Sequence, residues 1–385
     1  MIRSLLLVPA FLAMTNPLLA SDLDAGSAAR IDRAVAAAFE LQMSPGAVVL
    51  AGRAGGNVFA KGYGHFTYDA DSTAVKTDTI FDLASLSKPI GCATSIMVLA
   101  DRGKLAVTDP VSKYLPGMRT DDKKDITIEQ CLLHQAGFIA DNPIKDYDAA
   151  PEEALAKIYA GKLKYAPGKD YIYSDVSFII LGEVVKAVSG QPLDQFAQEN
   201  VFSPLKMNET SYNPSKSLRQ RIAPTEKRDG QWITGEVHDP RAHKLGGVAG
   251  HAGVFSTAPD VSRWCRMILN NGELDGVRIM SAKTVKEMTK PRPMKDSTGA
   301  TVVRAYGLDV DTKHSPAPRG RRFEKLKTFG HTGYTGTSLW IDPVNDAFVI
   351  LLTNRVHPDD DAEIGMLRKR IATIAAEAML PSKTK

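Results

Sequence analysis

Residues 84–91 read Ala84-Ser85-Leu86-Ser87-Lys88-Pro89-Ile90-Gly91, two serines, a lysine and a proline at the start of an apolar helical pattern. On a helix, positions i and i+3 share a face, so the Lys88 amine can reach the Ser85 hydroxyl. A seryl oxygen needs such a neighbour at neutral pH. The lysine serves either as a base with a depressed pKa or as a fixed positive charge that eases proton loss to another base. A serine at a helix N-terminus also faces free N–H groups that stabilise developing negative charge. The bland reading is that Ser85 caps the helix, with Pro89 in its first turn. The spacing alone does not choose, since Ser-x-x-Lys recurs at Ser203-Lys206 and Ser382-Lys385.

Outward from this stretch, the two chain ends carry strand patterns and the middle is helical. Ile31, Ala34, Val35 and Phe39 recur at helical spacing within 27–43, followed by the apolar run 47–51, a Gly55-Gly56 turn and Val58-Phe59-Ala60. Near the C-terminus, 338–341 and 347–352 flank a Pro343-to-Asp346 turn, and a helical pattern carries Ile364, Leu367, Ile371, Ile374 and Ala378. Between them, helical spacing marks residues 90–100, 181–188 and 261–269, each ending near a glycine. The expected fold is α/β (α+β): an antiparallel sheet from both chain ends, flanked by helices and interrupted by a mainly helical subdomain. The sheet subdomain is placed at about 27–80 and 300–380 and the helical one at about 85–295, with a ligand cleft between them.

Composition excludes several classes. With 385 residues and 43% hydrophobic content the chain can bury a sizeable core. A net charge of +4, with no finger or basic stripe, argues against nucleic acid. Residues 1–20, with Arg3, an apolar run to Met14 and small residues at Ala20-Ser21, read as a secretory signal, so residues 21–385 are expected to form an exported, periplasmic or secreted, domain with no stable membrane span. Cys92, Cys131 and Cys265 are too few for a disulfide framework and read as small buried hydrophobes. His238 and His243 lack the third spaced ligand of a zinc site, so no metal or other cofactor is expected. No Gly-x-Ser-x-Gly elbow is present.

Two further stretches bear on Ser85. Tyr173-Ser174-Asp175 precedes an apolar helix, and His331-Thr332-Gly333 opens a glycine- and threonine-rich strand. In order and context the three motifs resemble those of the penicillin-binding protein and class C β-lactamase superfamily: Ser-x-x-Lys, Tyr-x-Asn and Lys/His-Thr-Gly. GKLAVTDPVSKYLPGM, LLHQAGF, VFSPLKM and GGVAGHAGVFSTAPDVSRW extend the resemblance over nearly the whole chain after residue 20. It is strongest to D-alanyl-D-alanine carboxypeptidase-like proteins of the penicillin-binding protein 4B type, with carboxylesterases and β-lactamases of the same fold close by.

The resemblance implies acyl transfer through a serine ester, with Ser85 as nucleophile, Lys88 as its activating partner and Tyr173 as proton shuttle. The N–H groups of Ser85 and Tyr334 would form the oxyanion hole. Tyr173, with a free pKa of roughly 10, needs electrostatic help from Lys88 to act as a base. Asp175, His331, Thr332 and Gly333 are the expected substrate-binding residues. Two positions depart from the motifs. Asp175 replaces asparagine and would pair with a cation such as Lys88. His331 replaces lysine and, near its reference pKa of roughly 6.5, is mostly neutral at pH 7. Anion recognition should weaken, favouring small esters or D-amino-acid peptide amides over β-lactams. The cationic stretch Arg319, Arg321, Arg322, Lys325 and Lys327 reads as a solvated hairpin, with recruitment of anionic cell-wall peptides as the sharper alternative. His251 is expected to make a structural hydrogen bond. The non-enzymatic rival is a penicillin-binding sensor or scaffold.

Overall fold

A computed structural model describes residues 23–69 and 71–381. The expected signal segment, residues 1–20, and the Ser382-Lys385 match lie outside the described residues.

Eight strands form one antiparallel sheet: β1 (Gly46–Arg53), β2 (Gly56–Gly64), β3 (Arg292–Lys295), β4 (Thr301–Ala305), β5 (Leu308–Asp311), β6 (Phe329–Thr332), β7 (Ser338–Asp342) and β8 (Ala347–Thr353). Their spatial order is β3-β4-β5-β6-β7-β8-β1-β2, so the N-terminal hairpin docks on the last strand, pairing Val49 with Leu351. The sheet from both chain ends is thus as expected, and β3 to β5 add strands that periodicity did not mark.

Alternation explains why the central strands read as unbroken apolar runs: both faces are covered. Ala47, Val49, Ala51, Trp340, Val349 and Leu351 pack against α1 (Ala25–Glu40) and the C-terminal helix through Ile31, Val35, Leu367 and Ile371. Val48, Leu50, Leu339, Ile341, Ile350 and Leu352 face the opposite core, shared with α2 (Thr94–Asp101), α3 (Asp175–Ser189) and α4 (Ala258–Leu269). The C-terminal helix, Gly365–Met379, is α5. Cys92, Cys131 and Cys265 are free and fully buried, behaving as apolar side chains.

α3 starts where Ser174 accepts a hydrogen bond from the Ser177 N–H and ends at Gly190, whose φ of 76° closes the helix in the left-handed region. Gly250 has no room for a side chain, because a Cβ there would lie 1.9 Å from the Phe178 carbonyl oxygen. That contact seats the 246–253 loop on α3 and fixes His251 at the cleft.

The cationic stretch is neither a free hairpin nor part of the cleft. Residues 316–319 form a short helical turn, Arg319 and Lys325 pair with Asp311, Lys327 pairs with Glu324, and Arg322 donates to the Pro381 carbonyl. Lys325 and Lys327 remain largely exposed, so the stretch is a solvated surface segment.

Candidate active site

Ser85 sits inside a 3₁₀ turn, 84–86, which runs into a wide π-helical turn at 88–93 and then α2. It is therefore not a helix cap. Ala84 is held at φ 46°, a strained conformation for a residue with a side chain, while its N–H donates to Asp82 Oδ1 at 2.8 Å. The strain turns Ser85 toward the cleft, where it is partly exposed. Ser87 is the structural serine, fully buried, with its Oγ accepting from the Val254 N–H at 3.0 Å.

Lys88 is fully buried and its ammonium meets three acceptors. Nζ lies 2.9 Å from Ser85 Oγ, 2.6 Å from Asp175 Oδ1 and 3.2 Å from the His251 carbonyl oxygen. Two hydrogen bonds and a close ion pair with a carboxylate suit the cationic form. Burial draws the lysine toward neutrality, but the Asp175 charge, then Tyr173, outweighs it and holds the pKa above its ordinary 10.5. Of the two roles open from the sequence, a fixed positive charge fits and a neutral base does not. The Tyr173 ring stacks over this charge, its centroid 4.8 Å from Nζ.

The Tyr173 segment is anchored from behind. His134 Nδ1 accepts the Ser174 N–H at 3.0 Å, and its ring lies 4.5 Å from that of Tyr173. Burial, then the Arg304 and Lys88 charges, holds His134 neutral, well below the usual histidine range. The sequence reading quoted this residue within LLHQAGF without giving it a role.

Across the cleft, β6 presents His331 and Thr332, and the following residues are tied to the Ser85 turn. Thr335 Oγ1 donates to the Asp82 carbonyl at 2.7 Å and Thr337 Oγ1 to that of Leu83 at 3.0 Å. Gly333 is obligatory in this junction, since a Cβ would fall 2.1 Å from Thr337 Oγ1 and 2.4 Å from the Leu83 oxygen. Among the described residues neither the Ser85 nor the Tyr334 N–H has a hydrogen-bond partner, which leaves both free for an oxyanion. Arg355 Nε fixes the Tyr334 carbonyl at 2.8 Å, and Arg368 donates to the Gly333 carbonyl at 2.7 Å.

His331 is buried, and burial, then the Arg304 and Lys88 charges, holds it neutral, well below the usual histidine range. Its Nδ1 bonds the Thr332 carbonyl at 2.7 Å, leaving Nε2 as a buried acceptor without a partner. A neutral His331 agrees with the sequence reading, and the cations beside it come from other residues. The same half of the cleft, about 320 Å³, is lined by Arg304, Arg355 and Arg368 as well as Ser85, Tyr173 and His331. Arg304 is 2% exposed, its Nε and Nη2 have no partner, and its guanidinium sits 5.6 Å from the Tyr173 ring centroid. The available signal was an arginine within the apolar stretch Val302-Val303-Arg304-Ala305.

His251 makes the expected structural contact, Nε2 to Asp239 Oδ1 at 2.9 Å, and its carbonyl also holds Lys88. His238 Nε2 lies 2.9 Å from Glu226 Oε1, and His243 lies 3.9 Å from Glu236.

The architecture has relatives. Residues 31–373 match the Beta-lactamase family model. The chain is 34% identical over 310 residues to an Escherichia coli (strain K12) protein named "Putative D-alanyl-D-alanine carboxypeptidase", covering 73% of this chain and 70% of that one. In fold it is similar to a penicillin-binding protein homologue from Caulobacter crescentus, with TM-score 0.75 and 19% identity over 93% of this chain and 99% of that one. It is also similar to a family VIII carboxylesterase, with TM-score 0.71 and 23% identity over 93% and 98%. The match over residues 31–373, nearly the whole described chain, makes the protein a serine hydrolase of the Beta-lactamase family.

Proposed function

We propose that the protein is an exported D-alanyl-D-alanine carboxypeptidase-like enzyme that works through an acyl-enzyme on Ser85. One observation carries the choice of substrate: the buried Arg304 guanidinium, with unpartnered N–H groups, in the half-cleft that also holds Ser85 and Tyr173. Asp309 stands opposite Arg304 on β5, yet Nε and Nη2 keep no hydrogen-bond acceptor, and burying such donors unpaired is costly, so a carboxylate is the complement these two N–H groups lack. A guanidinium fork suits a carboxylate bidentately, and a substrate's terminal carboxylate would take that place.

In the proposed reaction, Ser85 Oγ attacks the scissile carbonyl carbon and its proton is taken up at Tyr173 Oη. The Lys88 ammonium stabilises the developing alkoxide, and the Ser85 and Tyr334 N–H groups hold the oxyanion. Tyr173 delivers the proton to the departing amine nitrogen as the C–N bond breaks, leaving the serine ester. Water then attacks the ester, giving its proton to Tyr173 and on to Ser85 Oγ as the C–O bond breaks. The apolar run at residues 5–14 supports export.

Hydrolysis of small esters is the second reading, favoured by the neutral His331 beside the nucleophile. The test compares a D-Ala-D-Ala peptide, p-nitrophenyl acetate and butyrate, and nitrocefin under identical conditions. Release of D-alanine, lost in Ser85→Ala and with KM raised about tenfold or more in Arg304→Lys, is the expected result. Ester turnover without D-alanine release would favour the second reading. A penicillin adduct without turnover of any substrate would make the protein a sensor.

A further inference from the structure

Ser85, Tyr173 and Tyr334 line both halves of the cleft, and the two halves differ in charge. Opposite the arginine-lined half lies a cavity of about 470 Å³ bordered by five carboxylates, Asp141, Asp175, Glu226, Asp239 and Asp360, against one arginine, Arg241.

Four of these acids are engaged. Asp175 holds Lys88, Glu226 meets His238, and Asp360 pairs with Arg355 and accepts from Tyr334. Asp239 takes the Arg241 and Ala242 N–H groups at 2.9 and 2.7 Å besides His251. Asp141 accepts no hydrogen bond among the described residues, and its nearest cation, Arg241 Nη1, is 3.8 Å away. Burial, then the neighbouring Asp175 charge, raises its pKa, and the Arg241 charge offsets this only in part.

A second polar group beside the same cavity has an unpaired buried atom. His251 is 1% exposed and lines this cavity. Its Nε2 pairs with Asp239, and its Nδ1 is buried without a partner. Asp175, Asp239 and His251 offer ligand atoms within 4.8 Å of one another, but a divalent ion there would lie against the Lys88 ammonium, 2.6 Å from Asp175. An alkyl ammonium reaching the cavity from its open side meets Asp141 instead.

We propose that the acidic half is a subsite for a primary ammonium on the acyl portion of the substrate, with Asp141 as its carboxylate partner. This deepens the carboxypeptidase reading and rests on it for orientation: with the departing residue's carboxylate at Arg304, the acyl chain leaves Ser85 toward Asp141. The substrate class is then a D-amino-acid peptide with a cationic acyl side chain and an anionic C-terminus.

Two matched pairs test it. Nα-acetyl-L-lysyl-D-alanyl-D-alanine, with a free ε-ammonium, is compared with its Nα,Nε-diacetyl form, and p-nitrophenyl 6-aminohexanoate with p-nitrophenyl hexanoate. The expected kcat/KM ratio favours the ammonium by roughly five- to tenfold at low salt and shrinks as salt rises. In Asp141→Asn it falls toward one, and in Asp141→Lys it inverts. Ratios at or below one in both pairs, or a ratio untouched by Asp141→Asn, would overturn the subsite. So would activation by added Zn²⁺ that a chelator reverses. Ammonium preference in the esters without peptide cleavage would leave the subsite standing and remove the carboxypeptidase reading. Peptide cleavage with no preference in either pair would do the reverse.

Discussion

Asp175→Asn, which restores the asparagine of the related motifs, should destabilise the protein in a way that depends on pH. The native pair is buried, with Lys88 fully enclosed and the Asp175 side chain 18% exposed. Removing one member of such a pair costs about 3–5 kcal/mol, because the remaining charge is left uncompensated. The folded protein can escape part of that cost only by releasing the Lys88 proton. At pH 7 this costs about 4.6 kcal/mol, from 1.36 kcal/mol per unit over the roughly 3.4 units below the free lysine pKa of about 10.4. The two routes agree in size, so about 3–5 kcal/mol is the expected loss at pH 7.

Their pH dependences differ. In the native protein the folded Lys88 pKa is raised, so its contribution is complete below about 10.5 and fades only as pH climbs through the folded value. Between pH 7 and 9.5 it is flat. In the variant the folded pKa is depressed by burial, the unfolded chain binds the extra proton, and stability rises with pH by about 1.4 kcal/mol per unit. Urea unfolding at pH 7, 8, 9 and 9.5, followed by the fluorescence of buried Trp264 and Trp340, measures the difference between the two proteins. Tyrosine and cysteine titrations common to both cancel. A deficit that shrinks from about 4 to about 1 kcal/mol supports a buried ammonium held by Asp175. A deficit that stays constant, or none at all, would refute it.

Three further outcomes follow from the same geometry. Tyr173→Phe keeps the ring over Lys88 and removes the proton carrier, so kcat should fall about 10²- to 10⁴-fold with little change in KM, read by steady-state kinetics on the best ester. Gly333→Ala drives a Cβ into Thr337 and the Leu83 carbonyl, displacing Tyr334, and kcat should fall about 10²- to 10³-fold, the cost of one oxyanion donor, while fluorophosphonate labelling of Ser85 slows in parallel. Trp264→Ala empties a fully buried site and removes the bond from Nε1 to Thr94 Oγ1 at 3.0 Å, so urea unfolding should show a loss of about 3–5 kcal/mol with the site chemistry intact in the folded fraction.

What was legible in the sequence is what local chemistry encodes. Apolar runs at 47–51 and 347–352 are long enough to mark strands, and helical spacing marks α1, α3, α4 and α5, because burial on a regular element leaves a period. The Ser85-Lys88 spacing and the two later motifs brought the site residues onto one cleft. The form of the Ser85 turn was left open, since a 3₁₀ turn feeding a π turn has the same serine, proline and apolar residues as a capped helix. Only the strained φ of Ala84 and the contacts from Thr335 and Thr337 distinguish them.

The arginines were illegible for a different reason. Arg304 reaches the cleft because β4 and β5 pair it with Asp309, and β5 and β6 pair Asp309 with Gly330, next to His331. A guanidinium 27 residues from the histidine in sequence arrives beside it only through two successive hairpin registers. A reading of the third motif from its own residue, histidine in place of lysine, therefore took no account of Arg304. The nearby positive charge sits on β4, two strands from His331, and after burial it is the next cause holding His331 neutral. The two facts are one electrostatic arrangement. A cation returned at position 331 by His331→Lys would lie against both Arg304 and Lys88 and should weaken rather than restore anion binding, because like charges in a buried site suppress each other's ionisation.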